Sequence, residues 1–241
     1  MFLNDFDRKL QKDEAERVFK TLIDEYHFDE FVTGKLSFFD WDCKYGHAYI
    51  KNGGQIFNGA CRGVIMGSRV SNYVYKFDLH FESDDIPYCS NEEYVYELAK
   101  TRNAEKGFCP IEKILDLEVE GHTLPIYILP YCDVDHTVSA ACYDKLVAEI
   151  CEEYGYDKEH VSDEERDEVE CMADDACYDE DTAVDYAHDI WTEVLFVNVM
   201  GIVNELDIND LHTGNWGYLN GELVITDYAG YDRNLRAKEV A

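Results

Sequence analysis

Apolar positions in residues 9–26 fall at Leu10, Val18, Phe19, Leu22 and Ile23, a spacing that puts side chains on one helix face. Past residue 31 the texture changes. The short runs FVTGKLSFF, GHAYIK, GVIMGSRV and NYVYKFDLHF are interrupted by glycines at 53, 54, 59, 63 and 67. This predicts strands and turns to about residue 86. Residues 90–104, SNEEYVYELAKTRNA, open on Ser90 with Glu93 three places later, a capping-box signature for a helix start. Two more strand-like runs, KILDLEVEG and LPIYILPY, flank a turn at Gly121-His122. From Cys132 to about residue 205 the chain reads as helix and ends in the apolar stretch DIWTEVLFVNVMGIVNEL. A turn and hairpin follow in INDLHTGNWGYLNGELVITDYAGYD, residues 208–232.

This order predicts an α+β fold of two lobes. Residues 1–30 form a helical lead-in, and 31–130 a β-rich lobe containing one helix. Residues 131–241 form a helical lobe that ends in the hairpin. The expected hinge is LPYCD, residues 129–133.

Composition narrows the class. The 241 residues are 46% hydrophobic, enough to fill a core. No apolar run approaches the roughly 18 residues of a membrane span. The first ten residues are charged and lack the apolar stretch of a secretory signal. Nine cysteines are scattered with no C-x-x-C and no zinc-ligand spacing, which predicts reduced thiols in a cytoplasmic protein.

Charge changes the picture most. The net formal charge is −31, and residues 145–190 alone hold 18 acids against three bases. Aromatic and aliphatic residues among those acids predict helices with one apolar stripe and an acidic outer face. Such a field repels nucleic acid and anionic membranes and attracts basic partners. It would also suit a protein that imitates DNA.

The candidate chemistry lies in the last hairpin. Asp210 and Asn215 are spaced D-x-x-x-x-N, and Asp227 ends the apolar run LVIT. Phosphoryl transfer needs such parts. One carboxylate orients or deprotonates the attacking hydroxyl, while an amide and a second carboxylate hold Mg²⁺ against the phosphates. The competing reading is an ordinary turn-rich hairpin, because N-D, T-G-N and N-G all favour turns.

DLHTGNWGYLNGELVITDYAG resembles the catalytic loop and metal-binding turn of the protein-kinase-like fold. The DLHxGN form is more similar to bacterial and phage kinases and to small-molecule phosphotransferases than to eukaryotic protein kinases. The family named by this resemblance is the early-expressed Ser/Thr protein kinases of short-tailed bacteriophages, over about residues 50–232. It implies a two-lobed fold with a minimal, acidic helical C-terminal lobe. It also implies ATP- and Mg²⁺-dependent phosphorylation of host proteins in the host-cell cytoplasm.

Carried residue by residue, the resemblance makes Asp210 the catalytic base or orienter and Asn215 and Asp227 the metal ligands. Lys76, in YVYKFD, becomes the strand lysine that clamps the nucleotide phosphates. Glu92, Glu93 and Glu97 are available to pair with it, and Glu93 is the choice from its place in EYVY. FNGACRGVIMGS, with Gly59 and Gly63, takes the place of the phosphate-covering loop without reproducing G-x-G-x-x-G. IYILPYCD resembles the adenine-binding connector. Pro130 has no N–H, so Tyr131 or Cys132 is left as the backbone donor. Lys76 and Asp227 are expected to contact phosphate or metal rather than core, so replacing either should leave the fold intact.

The chain also departs from the eukaryotic pattern. Asn209 precedes the catalytic aspartate where an Arg would stand, and the metal turn D-Y-A-G carries its glycine one place late. Only 14 residues follow Asp227, so no conventional activation segment is expected. Two rivals remain: a small-molecule phosphotransferase, and a kinase-fold protein that uses its negative charge to bind and inhibit a nucleic-acid-binding or basic host protein.

Overall fold

The computed structural model describes residues 3–58, 62–66, 72–78, 88–132, 137–156, 162–177 and 180–230. The chain forms two compact units, Met1–Glu97 with Pro110–Tyr131, and Leu98–Cys109 with Cys132–Ala241. The fold is α+β, with more helix than strand and small antiparallel sheets.

The first unit opens with helix α1 (Asp5–Tyr26), whose N-cap Asn4 accepts the Asp7 amide N–H at 2.9 Å. Helices α2 (Phe28–Val32), α3 (Phe38–Trp41) and α4 (His47–Lys51) follow. The strands β1 (Gln55–Asn58), β2 (Arg62–Met66) and β3 (Tyr73–Asp78) precede helix α5 (Tyr88–Thr101). Strands β4 (Glu112–Val119) and β5 (His122–Pro130) complete a five-stranded antiparallel sheet of order β1-β2-β3-β5-β4.

Two sequence expectations fail here. FVTGKLSFF and GHAYIK form helical turns rather than strands. Phe31 and Val32 at the start of the first run share one buried helix face with Phe28, and Ser37 caps α3 by accepting the Asp40 N–H at 3.1 Å. Helices of four or five residues are too short for periodicity to reveal. Residues 1–30 are also no separate lead-in. Phe19 of α1 lies 5.9 Å from the Tyr75 ring and 6.0 Å from Phe77, so α1 closes the core over β3.

Alternation along β3 then decides where Lys76 goes. Tyr75 and Phe77 enter this aromatic core, so Lys76 between them faces the other side of the sheet. The β4–β5 turn is Glu120-Gly121, one place earlier than expected. Both residues have positive φ, 49° and 86°, as a two-residue type I′ hairpin requires.

The second unit contains helices α6 (Thr137–Tyr154), α7 (Asp163–Cys177), α8 (Glu180–Ile190) and α9 (Glu193–Leu206). The hairpin of β6 (Trp216–Leu219) and β7 (Glu222–Ile225) turns at Asn220-Gly221, again with positive φ at both. Residues 98–109 belong to this unit, against the expectation that they sit in the β-rich lobe. The Cys109 N–H donates to the Ile225 carbonyl at 2.8 Å, and Arg102 forks onto the Glu205 carboxylate. Between them Gly107 admits Val199: a Cβ there would fall 2.4 Å from the valine Cγ2. Among the described residues no helix is long and apolar enough to cross a membrane.

Candidate functional site

Two groups of chemistry-bearing residues emerge, one in each unit. In the first, Lys76 sits on β3, paired in register with Val64 on β2 and Tyr127 on β5. Its Nζ donates to both Glu92 carboxylate oxygens, at 2.7 and 2.9 Å. Lys76 is 5% exposed and Glu92 fully buried. Glu92 is therefore the partner, and the choice of Glu93 is corrected.

The reason is helical phase. Glu92 stands three residues after Cys89 and three and four before Val95 and Tyr96, all of them buried on α5. Glu93 lies about 100° further around the helix, where its carboxylate accepts the Lys113 backbone N–H at 2.9 Å. It does not reach back to cap Ser90, which lies inside α5 rather than at its start. The start of α5 is instead held by Asp78 on β3, whose carboxylate accepts the Cys89 N–H at 3.3 Å.

The remaining first-unit assignments divide. Gly63 lies on β2, opposite Phe77 and Asn58 in a β1–β2 hairpin, while Gly59 falls outside the described residues. The Tyr131 N–H donates to the Asn72 carbonyl at 2.8 Å. It continues the β3–β5 ladder and is corrected as an adenine donor, which leaves Cys132 as the candidate. Cys132 itself belongs to the second unit, where its Sγ lies 3.2 Å from Cys109 Sγ.

In the second unit the sequence from α9 to the β6–β7 hairpin builds the other group. Helix α9 stops at Asp207, a left-handed C-cap with φ 52°. Ile208 and Leu211 are buried and pin the segment, and the Leu211 carbonyl accepts the Trp216 indole N–H at 2.8 Å. Between these anchors Asp210 adopts φ 74°. This left-handed conformation is uncommon for a non-glycine residue, with Asp and Asn enriched among the exceptions. Its side chain is 63% exposed.

Asn215 joins the loop to the turn after β7. Its Nδ2 donates to the Asp210 carbonyl at 2.5 Å. Its own carbonyl accepts the Thr226 N–H at 2.7 Å and the Asp227 N–H at 3.4 Å. Asn215 thus links the backbone at Asp210 to the backbone at Thr226 and Asp227. With the Asn215 amide nitrogen committed, its oxygen is the ligating atom left. Asn215 and Asp227 carry oxygen donors of the hard type that Mg²⁺ takes.

The unusual D-Y-A-G turn has a packing explanation. The buried Tyr228 hydroxyl donates to the Cys109 carbonyl at 2.6 Å, and its ring lies 5.0 Å from Phe108. Gly230 comes one place late because it lies against the Asn209-Asp210 loop. Its carbonyl accepts the Asn209 N–H at 2.7 Å, and a Cβ on it would fall 2.8 Å from the Asn209 oxygen. Tyr228→Phe should therefore cost about 0.5–1.5 kcal/mol of stability by removing this buried bond. Urea unfolding checks this, and an unchanged midpoint would contradict the assigned bond.

Comparison of the chain with protein-family models, characterised proteins and solved structures gave no match.

Proposed function

We propose that this protein is an ATP- and Mg²⁺-dependent kinase that transfers the γ-phosphoryl group to Ser/Thr hydroxyls of host proteins. The observation that carries this reading is that Asn215 ties the Asp210 backbone carbonyl to the backbone N–H groups of Thr226 and Asp227. In this reading Asp210 accepts or orients the acceptor hydroxyl, and Asn215 and Asp227 hold the metal. The metal supplies charge neutralisation at the phosphates.

The Lys76–Glu92 pair adds independent support. Kinases of this type carry a lysine on the third strand, ion-paired to a glutamate on the helix that follows. A buried ion pair is also poor at stabilising a fold, since apolar residues of similar volume often do as well. A buried ammonium group of this kind suits the clamping of phosphate oxygens. The acidic α6–α8 region favours acceptor proteins with basic surfaces.

Thermal unfolding with Mg-ATP tests the site. At about 100 times its Kd the ligand should stabilise the wild-type protein by roughly 2.7 kcal/mol. Asp227→Ala, or a chelator, should remove most of that gain. Equal stabilisation of both proteins, or none of the wild type, would count against it.

A further inference from the structure

His212 has no assigned task, yet its ring is held from two sides. Its Nδ1 accepts the Gly214 backbone N–H at 3.1 Å. Its Nε2 lies 3.5 Å from Asp210 Oδ1. A neutral imidazole has one N–H and one lone pair, so accepting from Gly214 assigns the proton to Nε2. Nε2 is thus the protonated nitrogen and the one nearer the Asp210 carboxylate.

Gly214 is part of the same device. A Cβ on it would lie 2.9 Å from His212 Cε1 and 3.1 Å from Nδ1. The ring therefore rests on the glycine backbone at a distance that a larger residue would not allow. The neighbouring Thr213 is buried, and the Asn215 N–H donates to the His212 carbonyl at 2.9 Å, so the backbone on either side of the ring is fixed.

We propose that His212 is a positioning residue for Asp210. Held in its Nε2-protonated tautomer by the Gly214 N–H, it restrains the rotamer of the exposed carboxylate and sets the direction from which the acceptor hydroxyl approaches. The Asp210 side chain is 63% exposed and its backbone is left-handed. The role rests on the phosphoryl-transfer reading above, but the tautomer and the contact do not.

Two substitutions separate the ends of the imidazole. In His212→Asn the amide oxygen takes the place of Nδ1, so the loop bond to Gly214 is kept and the nitrogen facing Asp210 is lost. In His212→Gln the amide nitrogen takes the place of Nε2, so the group facing Asp210 is kept and the loop bond is lost. The Asn variant should match the wild type in Tm and in its Mg-ATP shift, while kcat falls about 10- to 100-fold. The Gln variant should melt lower but recover most of kcat when assayed well below its Tm. Nitrogen-15 spectra of the His212 ring in the wild type should show the Nε2-protonated tautomer.

Each outcome is decisive. An Nδ1-protonated ring overturns the inference whatever the activity. So does wild-type kcat in the Asn variant, or a loss in both variants that simply follows their Tm. A wild-type protein that shows this tautomer but transfers no phosphate defeats the kinase reading, and the positioning role falls with it.

Discussion

Lys76→Met alone is expected to destabilise the protein by about 3–5 kcal/mol, and Lys76→Met with Glu92→Leu to recover most of that loss. The sequence placed Lys76 against phosphate rather than core, which made a fold-neutral substitution the natural expectation. The structure reverses it. Glu92 is fully buried and holds Lys76 at 2.7 and 2.9 Å, so removing the ammonium strands a carboxylate away from water. Removing both charges removes the desolvation cost with the attraction. Urea unfolding of the wild type, both single variants and the double variant forms a thermodynamic cycle. Strong coupling is expected, with the double variant near the wild type. Additive losses would mean that the two side chains do not depend on each other. The double variant should remain inactive in phosphoryl transfer, which makes it the control that a destabilised single variant cannot be.

Much of the local structure in the second unit's last hairpin was legible because its signals are local. The apolar run before Asp227 is a strand, Asn220-Gly221 is its turn, and Asn215 bonds the Asp210 carbonyl and the Thr226 and Asp227 N–H groups. What escaped depends on contacts distant in sequence. Glu93 was chosen by local pattern, while Glu92 was selected by which face of α5 packs down. The apolar spacing of Cys89, Val95 and Tyr96 carried that information. The turns α2 to α4 were misread because aromatic residues suit strands and short helices alike, and only packing around Phe28, Phe31 and Trp41 decides between them. The Tyr131 amide looked available until β3 was seen to extend its ladder to Asn72. Placement of residues 98–109 rests on Gly107, Cys109 and Arg102 meeting partners about 90 or more residues away. His212 was read only as part of a motif, although G two places after H was the signal that the ring needed room.

Asp210→Asn is expected to leave stability and Mg-ATP binding near wild type and to lower phosphoryl transfer by about 10²- to 10⁴-fold. Asparagine tolerates the φ of 74° at this position and nearly matches aspartate in shape, so the loop should keep its course. The amide, however, cannot accept the hydroxyl proton. The substitution removes one charge from a net −31, so any effect that rests on bulk charge or surface mimicry should persist in the variant. Growth inhibition on expression in a host cell, at matched protein levels, separates the two readings. A kinase loses potency with its base, and a charged decoy does not.

The most direct measurement incubates wild-type protein and Asp210→Asn with γ-labelled ATP, Mg²⁺ and host-cell lysate, and follows the label into protein. The expected result is label on Ser or Thr of lysate proteins with the wild type, at least about 100-fold less with the variant, and none when Mg²⁺ is chelated. Label confined to small molecules would move the acceptor to the phosphotransferase class. No label with the wild type, or equal label with the variant, would contradict the assignment of Asp210 and the kinase account built on it.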